Sequence, residues 1–442
     1  MGDTPRKTAL RILNELDAGE KTLDALIDAS YESSELSEKR DRALMQALVY
    51  GVLRRRSRLD EIVSRYSKTA LRKIEPKVLN VLRLALYQIA FMDRIPPSAA
   101  VNTSVELAKS VSAPWTVKFV NALLRKAAAG PLPAPSGAAV ENSIPEWLFR
   151  RWTKRYGASG TGMICDAVNR VPPITVRTNT LRKSREALMA GFSGNAEEIS
   201  ITEFSPEGIT FSNPRGSVSD MPGFVEGEFQ VQDEAAQLVG HILSPAPGET
   251  VLDACAGLGG KTGHAAQLME NRGVLCAVDK DSQKLQRLGK EMQRLGVSIV
   301  EACCHDILSS RWRPRISLFD RILLDAPCSG LGVLRRNPDA KWSVKESDLA
   351  RLRDIQIRLI GHLAPLLKPS GILVFVVCST EPEENESVAE AFLKSHANFR
   401  IEPLRASKLL PSDGITEKGF FKTYPHLLSM DGFFAARFRR IS

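Results

Sequence analysis

The chain has 442 residues, 43% hydrophobic and 25% charged, which excludes a disordered or low-complexity protein and supplies apolar material for roughly two to four domain cores. No stretch approaches the ~18 consecutive apolar residues that cross a bilayer, and the segment from Met1 to Lys21 lacks the apolar core of a signal peptide, so a soluble cytoplasmic protein is expected. The formal net charge is +9; residues 1–130 carry +7 of it, with 22 Lys and Arg against 15 Asp and Glu, which suits either a polyanion such as RNA or a solvated basic surface.

Residues 1–130 read as an all-helical domain. Val78, Val81, Leu82, Ala85, Leu86 and Ile89 fall on one helical face, as do Leu44, Ala47, Leu48 and Val52. Phe119, Val120, Leu123, Leu124 and Ala127 form a third stripe. Pro96–Pro97 interrupts the pattern, and Pro114 opens another turn. Arg54, Arg55, Arg56 and Arg58 cluster where one helix is expected to end; dipole complementation and phosphate contact both explain them. Residues 131–143 lie in a Pro-rich, aperiodic tract and read as a linker. Residues 144–230 read as a small α+β domain, with strands at Ile174–Thr178 and around Ile209.

From residue 231 to 442 short apolar runs alternate with helical segments. The runs begin near Thr250, Gly273, Arg321 and Gly371, and a last one follows Gly432. This pattern predicts an open, doubly wound α/β sheet whose ligands bind beyond the carboxyl ends of the strands. The first run leads into Asp253-Ala-Cys-Ala-Gly-Leu-Gly-Gly-Lys-Thr262, a glycine turn opening a helix. A P-loop needs Gly where Cys255 sits, and a dinucleotide fingerprint needs Gly where Thr262 sits. S-adenosylmethionine, which carries no phosphate, is the third option. Asp279, 22 positions after Gly257, is placed to accept hydrogen bonds from a ribose or to cap a helix.

Seven cysteines without a C-x-x-C pair predict free thiols, and with scattered histidines predict no metal site. Two of them, Cys328 in Asp325-Ala-Pro-Cys-Ser-Gly and Cys378 in Val-Cys-Ser-Thr-Glu-Pro, each follow a predicted strand and precede a Ser. If those strands are neighbours, both thiols face the cofactor edge. Cytosine C5 methylation needs such thiols. A thiolate adding to carbon 6 turns the weakly nucleophilic carbon 5 into one that can accept a methyl group, and a second acid–base group assists release. Asp325 is the candidate acid for N3 of the base.

Val231-Gln-Asp-Glu-Ala-Ala-Gln, Gly259-Gly-Lys-Thr, Asp325-Ala-Pro-Cys-Ser-Gly, Arg335-Arg-Asn-Pro-Asp-Ala-Lys-Trp342, Cys378-Ser with Pro382-Glu-Glu-Asn385, and Asp431-Gly-Phe-Phe434 occur in this order. With them the chain resembles the bacterial small-subunit ribosomal RNA cytosine-5 methyltransferases of the B type. The resemblance implies a NusB-like domain, an RNA-recognition-like subdomain and a Rossmann-like class I methyltransferase domain. It also implies a monomer acting on 16S ribosomal RNA. S-adenosylmethionine would be held by Cys255, Ala256, Gly257, Leu258, Gly259, Gly260 and Lys261, with Asp279, Asp306 and Asp325. Cys378 would be the nucleophile and Cys328 the group assisting release, with Cys328 as the alternative nucleophile. Arg335, Arg336 and Lys341 would touch RNA. The chain departs from the family pattern at Ala256-Gly257-Leu258, where Ala-Ala-Pro is usual, and at Val377, where Thr is usual. The competing expectations are a transfer RNA substrate and an RNA-binding assembly factor with a vestigial transferase site.

Overall fold

A computed structural model of the protein describes residues 4–19, 21–32, 36, 38–309, 312–406 and 408–442. By contact the chain divides into two units, residues 1–169 with Asn337–Ser343, and residues 170–336 with 344–442. No helix among the described residues is long and apolar enough to cross a membrane.

The first unit is helical. Thr4–Ala18, Leu23–Glu32, Lys39–Tyr66, Pro76–Phe91, Pro97–Val111 and Pro114–Ala128 surround a core containing Leu48, Val52, Ile62, Val81, Leu84 and Leu124. Three of these helices open on proline, where the missing N–H has no helical partner to lose. Most residues of the apolar stripes legible in the sequence meet here; Ala47 is exposed instead, and Met45 and Val49 are buried beside Leu48 and Val52. Two expectations change. The arginine cluster does not end a helix, because that helix runs on to Tyr66 and its buried face continues through Leu59, Ile62 and Val63. The tract expected as a linker contains a helical turn at Ala138–Glu141, and the following helix, Glu146–Asn169, belongs by contact to the first unit rather than opening the α+β domain.

The second unit holds two sheets. Strands β1 (Ile174–Thr178), β2 (Ala196–Ile201), β3 (Gly208–Pro214) and β4 (Phe229–Val231) form an antiparallel sheet in the order β2-β3-β1-β4. Strands β5 (Thr250–Ala254), β6 (Val274–Asp279), β7 (Val300–Cys304), β8 (Phe319–Asp325), β9 (Leu367–Val377), β10 (Phe399–Ile401), β11 (Phe421–Lys422) and β12 (Phe434–Arg440) form the larger one. Its order is β10-β12-β9-β8-β5-β6-β7, with β11 on β12; β9 through β7 run parallel, while β12 is antiparallel to β9. Alternate residues serve opposite faces. On β9, Ile372, Val374 and Val376 join one apolar cluster, while Leu373, Phe375 and Val377 join the other beneath the helices Glu346–Leu363 and Glu386–Ser395. That two-sided burial is why these strands read as continuous apolar runs. It also places Val377 in the packed core, so the departure from the family pattern there is a packing residue.

Candidate active site

The carboxyl ends of β5, β6, β8 and β9 carry the expected site residues, and the sheet makes β8 and β9 neighbours, with Asp325 opposite Val376. After β5 the backbone turns sharply. Cys255 has φ +103, Gly257 +56 and Gly259 +86. The N–H groups of Cys255 and Ala256 both donate to the Val278 carbonyl at 2.9 Å, and Gly257 N–H donates to Asp279 Oδ2 at 2.9 Å. Gly259 caps the helix Gly260–Leu268; a Cβ there would meet Leu288 at 2.8 Å. Without proline, the Ala256-Gly257-Leu258 turn is held by Asp279 and by the edge of β6.

The Gly260-Lys261-Thr262 tail is not a phosphate cradle. Lys261 Nζ donates to Asp325 Oδ2 at 2.6 Å, and Thr262 Oγ1 donates to the buried Asp253 at 2.7 Å. Burial alone would lower the basicity of Lys261; Asp325, Cys378 and Asp253 outweigh it and hold the ammonium above its ordinary value. Burial pushes Asp253 up to about 7, against the Thr262 hydrogen bond. Burial, reinforced by Asp325, Asp253 and Asp279, raises the Cys255 thiol and keeps it protonated, which removes it as a nucleophile.

Two cavities meet at this turn. One, of about 580 Å³, is lined by Asp279, Asp306, Asp325, Val278, Ile307 and Leu359 among others. The other, of about 290 Å³, lies over Ala256, Leu258, Gly260 and Lys261 beside Gln232. Cys255, Gly257 and Asp325 border both. The first cavity sets Asp279, Asp306 and Asp325, together with Lys280, Lys284 and Arg358, beside apolar walls. Apolar walls and hydrogen-bonding carboxylates suit S-adenosylmethionine, which combines a flat adenine, a ribose diol and a cationic sulfonium. Gly259 lines neither cavity and acts by letting the helix start close to Leu288. Sequence reasoning missed the lining residues Lys280, Lys284, His305 and Arg358. Nothing in their spacing marks them.

The two thiols are adjacent. Cys328 Sγ and Cys378 Sγ lie 3.2 Å apart. The hydrogen bond to Cys378, together with burial, raises the Cys328 thiol well above its ordinary value. Behind the sulfurs, the buried Glu384 carboxylate accepts from Ser329 and Ser379, the residues that follow the two cysteines.

The expected RNA contacts need correction. Arg335 and Arg336 are gripped by two buried carboxylates: Asp431 accepts from them at 2.5 and 2.7 Å, and Asp233 at 3.3 and 2.8 Å. Lys341 lies in the first unit, 1% exposed, donating to the carbonyls of Arg54 and Ser143 at 3.2 Å and to Asn169 Oδ1 at 3.0 Å. Burial, aided by Arg54 and Arg55, lowers its amine to about 7. The cluster in the Lys39–Tyr66 helix is likewise engaged: Arg54 and Arg55 stand over the Tyr50 and Phe91 rings at 5.3 Å, Arg56 pairs with Asp17 and Arg58 with Glu61. Elsewhere, ligand-type atoms of Glu207, His241 and His264 lie within 4.8 Å of one another. The buried Arg177 guanidinium acts on both Glu207 and His264, so a cation there would meet fixed positive charge.

The sequence profile described as 16S rRNA methyltransferase RsmB/F matches residues 240–439. The NusB family profile matches residues 3–129, and an RsmF/B-like ferredoxin-like domain matches residues 144–218. The chain is 34% identical to the probable ribosomal RNA small subunit methyltransferase B of Synechocystis sp. over 446 residues, covering 98% of this chain and 99% of the relative. The chain belongs to the ribosomal RNA small subunit methyltransferase B family. The Bacillus subtilis member, also named as probable, is 34% identical, with 98% of each chain covered. A crystal structure of a methyltransferase homolog from Pyrococcus horikoshii superposes with TM-score 0.59 and 29% identity, covering 68% of this chain and 97% of that one. S-adenosylmethionine is the family's methyl donor, and the cavities at the glycine turn, with Asp279 and Asp325 beside apolar walls, fit it.

Proposed function

We propose that this protein methylates carbon 5 of a cytosine in 16S ribosomal RNA through a transient bond between Cys378 and carbon 6. The 3.2 Å approach of Cys378 to Cys328, at the ends of neighbouring strands beside the glycine turn, carries this reading. S-adenosylmethionine supplies the methyl group. Among the chain's own groups, Lys261 keeps its positive charge within electrostatic reach of the Cys378 sulfur, beside the attacking atom. Asp325, held by Lys261, meets the base edge. While Cys378 is free, it is the main cause holding the Cys328 proton. Bonding of Cys378 to the base removes that partner and frees Cys328 for the acid–base step of release. The target base has to leave its stack to reach this site.

Replacing each cysteine tests the assignment. Cys378→Ala should abolish methyl transfer to 16S RNA, whereas Cys328→Ala should accumulate a denaturation-resistant protein–RNA adduct. An adduct in Cys378→Ala and not in Cys328→Ala would reverse the two roles. A vestigial site predicts that calorimetry detects no S-adenosylmethionine binding even at millimolar ligand. A soluble cytoplasmic monomer is the form proposed to act.

A further inference from the structure

We propose that Glu384 is a positioning residue for the two thiols, its carboxylate clamping the loop after Cys328 to the loop after Cys378. The proposal deepens the covalent reading above and rests on it for its consequence in turnover. Glu384 is fully buried, with no cation paired to it in the hydrogen-bond set around it. A buried carboxylate is costly unless its lone pairs are filled. Here they are filled from both loops. Oε1 accepts the Ser329 N–H at 2.8 Å and the Gln356 amide at 3.2 Å. Oε2 accepts both serine hydroxyls, the one from Ser379 at 2.6 Å. Gln356 adds a second tie, donating to the Pro327 carbonyl at 3.0 Å, immediately before Cys328.

One carboxylate therefore fixes the residues that follow each sulfur. The two hydroxyls also approach each other to 3.2 Å, the same spacing as the sulfurs. Both loops continue from parallel strands that could otherwise diverge, so the sheet alone does not set the sulfur separation. A core with no catalytic duty has little use for this arrangement. An apolar residue would fill the space without the cost of desolvating a charge. Displacement of a reacting group by about 1 Å lowers rates on the order of a hundredfold, which is the scale on which such a clamp matters.

The test reads sulfur proximity directly. Diamide oxidises two neighbouring thiols to a disulfide, forming the S–S bond as its N=N bond is reduced to the hydrazine by the two thiol protons and two electrons. In the full chain, without RNA or S-adenosylmethionine, the Cys328–Cys378 disulfide is followed by peptide mapping. Glu384→Ala is expected to slow its formation at least tenfold, and Glu384→Asp to restore part of the rate. A rate within twofold of wild type in Glu384→Ala overturns the proposal. If Glu384→Ala does not fold, Ser379→Ala removes one arm of the clamp and is expected to slow crosslinking about threefold; an unchanged rate there overturns it as well. With RNA and S-adenosylmethionine, Glu384→Ala should lower kcat while leaving KM for RNA within twofold. Slowed crosslinking with no covalent adduct in any variant, Cys328→Ala included, supports the clamp and removes the covalent reading instead.

Discussion

At the scale of single residues, the site is organised by carboxylates doing different work, Asp253 and Glu384 buried, Asp279 and Asp325 half-buried. Asp325 is neutralised by Lys261, Asp279 holds the turn, Glu384 joins the two loops, and Asp253 is sealed behind Thr262. Asp253 gives a pH prediction. Its carboxyl titrates near 3.8 when unfolded and at about 7 when folded, so its contribution to stability is fully present below pH 4 and is lost as pH rises towards 7. Asp253→Asn removes that loss. Between pH 5 and 7.5 the unfolding free energy of the variant should gain about 2–3 kcal/mol relative to wild type, at about 1.4 kcal/mol per pH unit. Denaturant melts at the two pH values measure it. A parallel pH dependence in variant and wild type would mean that Asp253 is ionised in the folded protein. Glu384 lies in Pro382-Glu-Glu-Asn385, one of the segments on which the resemblance rests, but nothing in the sequence gives it a role; only the fold turns that residue inward onto the two loops.

At the scale of elements, the strands that build the site were legible because they are buried on both faces. The edge strand β7 was not: Val300-Glu-Ala-Cys-Cys is largely exposed, so its register on β6 leaves no apolar signature. The Lys39–Tyr66 helix was legible in its first half and lost at Arg54, where charges that looked like a terminus lie in mid-helix against aromatic rings. Loop packing was invisible for a further reason, that a close backbone approach leaves only a glycine in the sequence. Gly332 N–H donates to the Cys378 carbonyl at 3.0 Å, and a Cβ on Gly332 would lie 1.9 Å from the Gly432 carbonyl oxygen. Gly332→Ala should therefore push the loops apart, with a loss of about 2–4 kcal/mol in thermal unfolding and a fall in kcat. Gly162→Ala, inside the Glu146–Asn169 helix with no neighbouring side chain within 4 Å, is the control expected to leave kcat unchanged and stability no lower than wild type.

At the scale of the whole molecule, the motif Arg335-Arg-Asn-Pro-Asp-Ala-Lys-Trp342 is divided between the units. Its arginines are held by Asp233 and Asp431 in the second unit, while Lys341 and Trp342 complete the first, the indole donating to the Leu53 carbonyl at 2.7 Å. A basic motif read as an RNA contact is spent on internal acceptors. Lys341→Met should leave three acceptors unfilled and lower stability by about 2–4 kcal/mol. The salt dependence of RNA binding should not change, because no phosphate contact is lost. A shallower salt slope with unaltered melting would return Lys341 to the role that its charge suggested.

The return of Asn337–Ser343 to the first unit has a consequence during synthesis. The amino-terminal helices leave the ribosome early, but the lysine and the indole that fill their last sites are encoded roughly 170 residues later. At ~5–20 residues per second that is a wait on the order of 10–35 s with the carbonyls that Lys341 and Trp342 fill left without those donors. Nascent chains halted before codon 337 should consequently be digested by protease across the amino-terminal helices, and those halted well beyond codon 343 should resist.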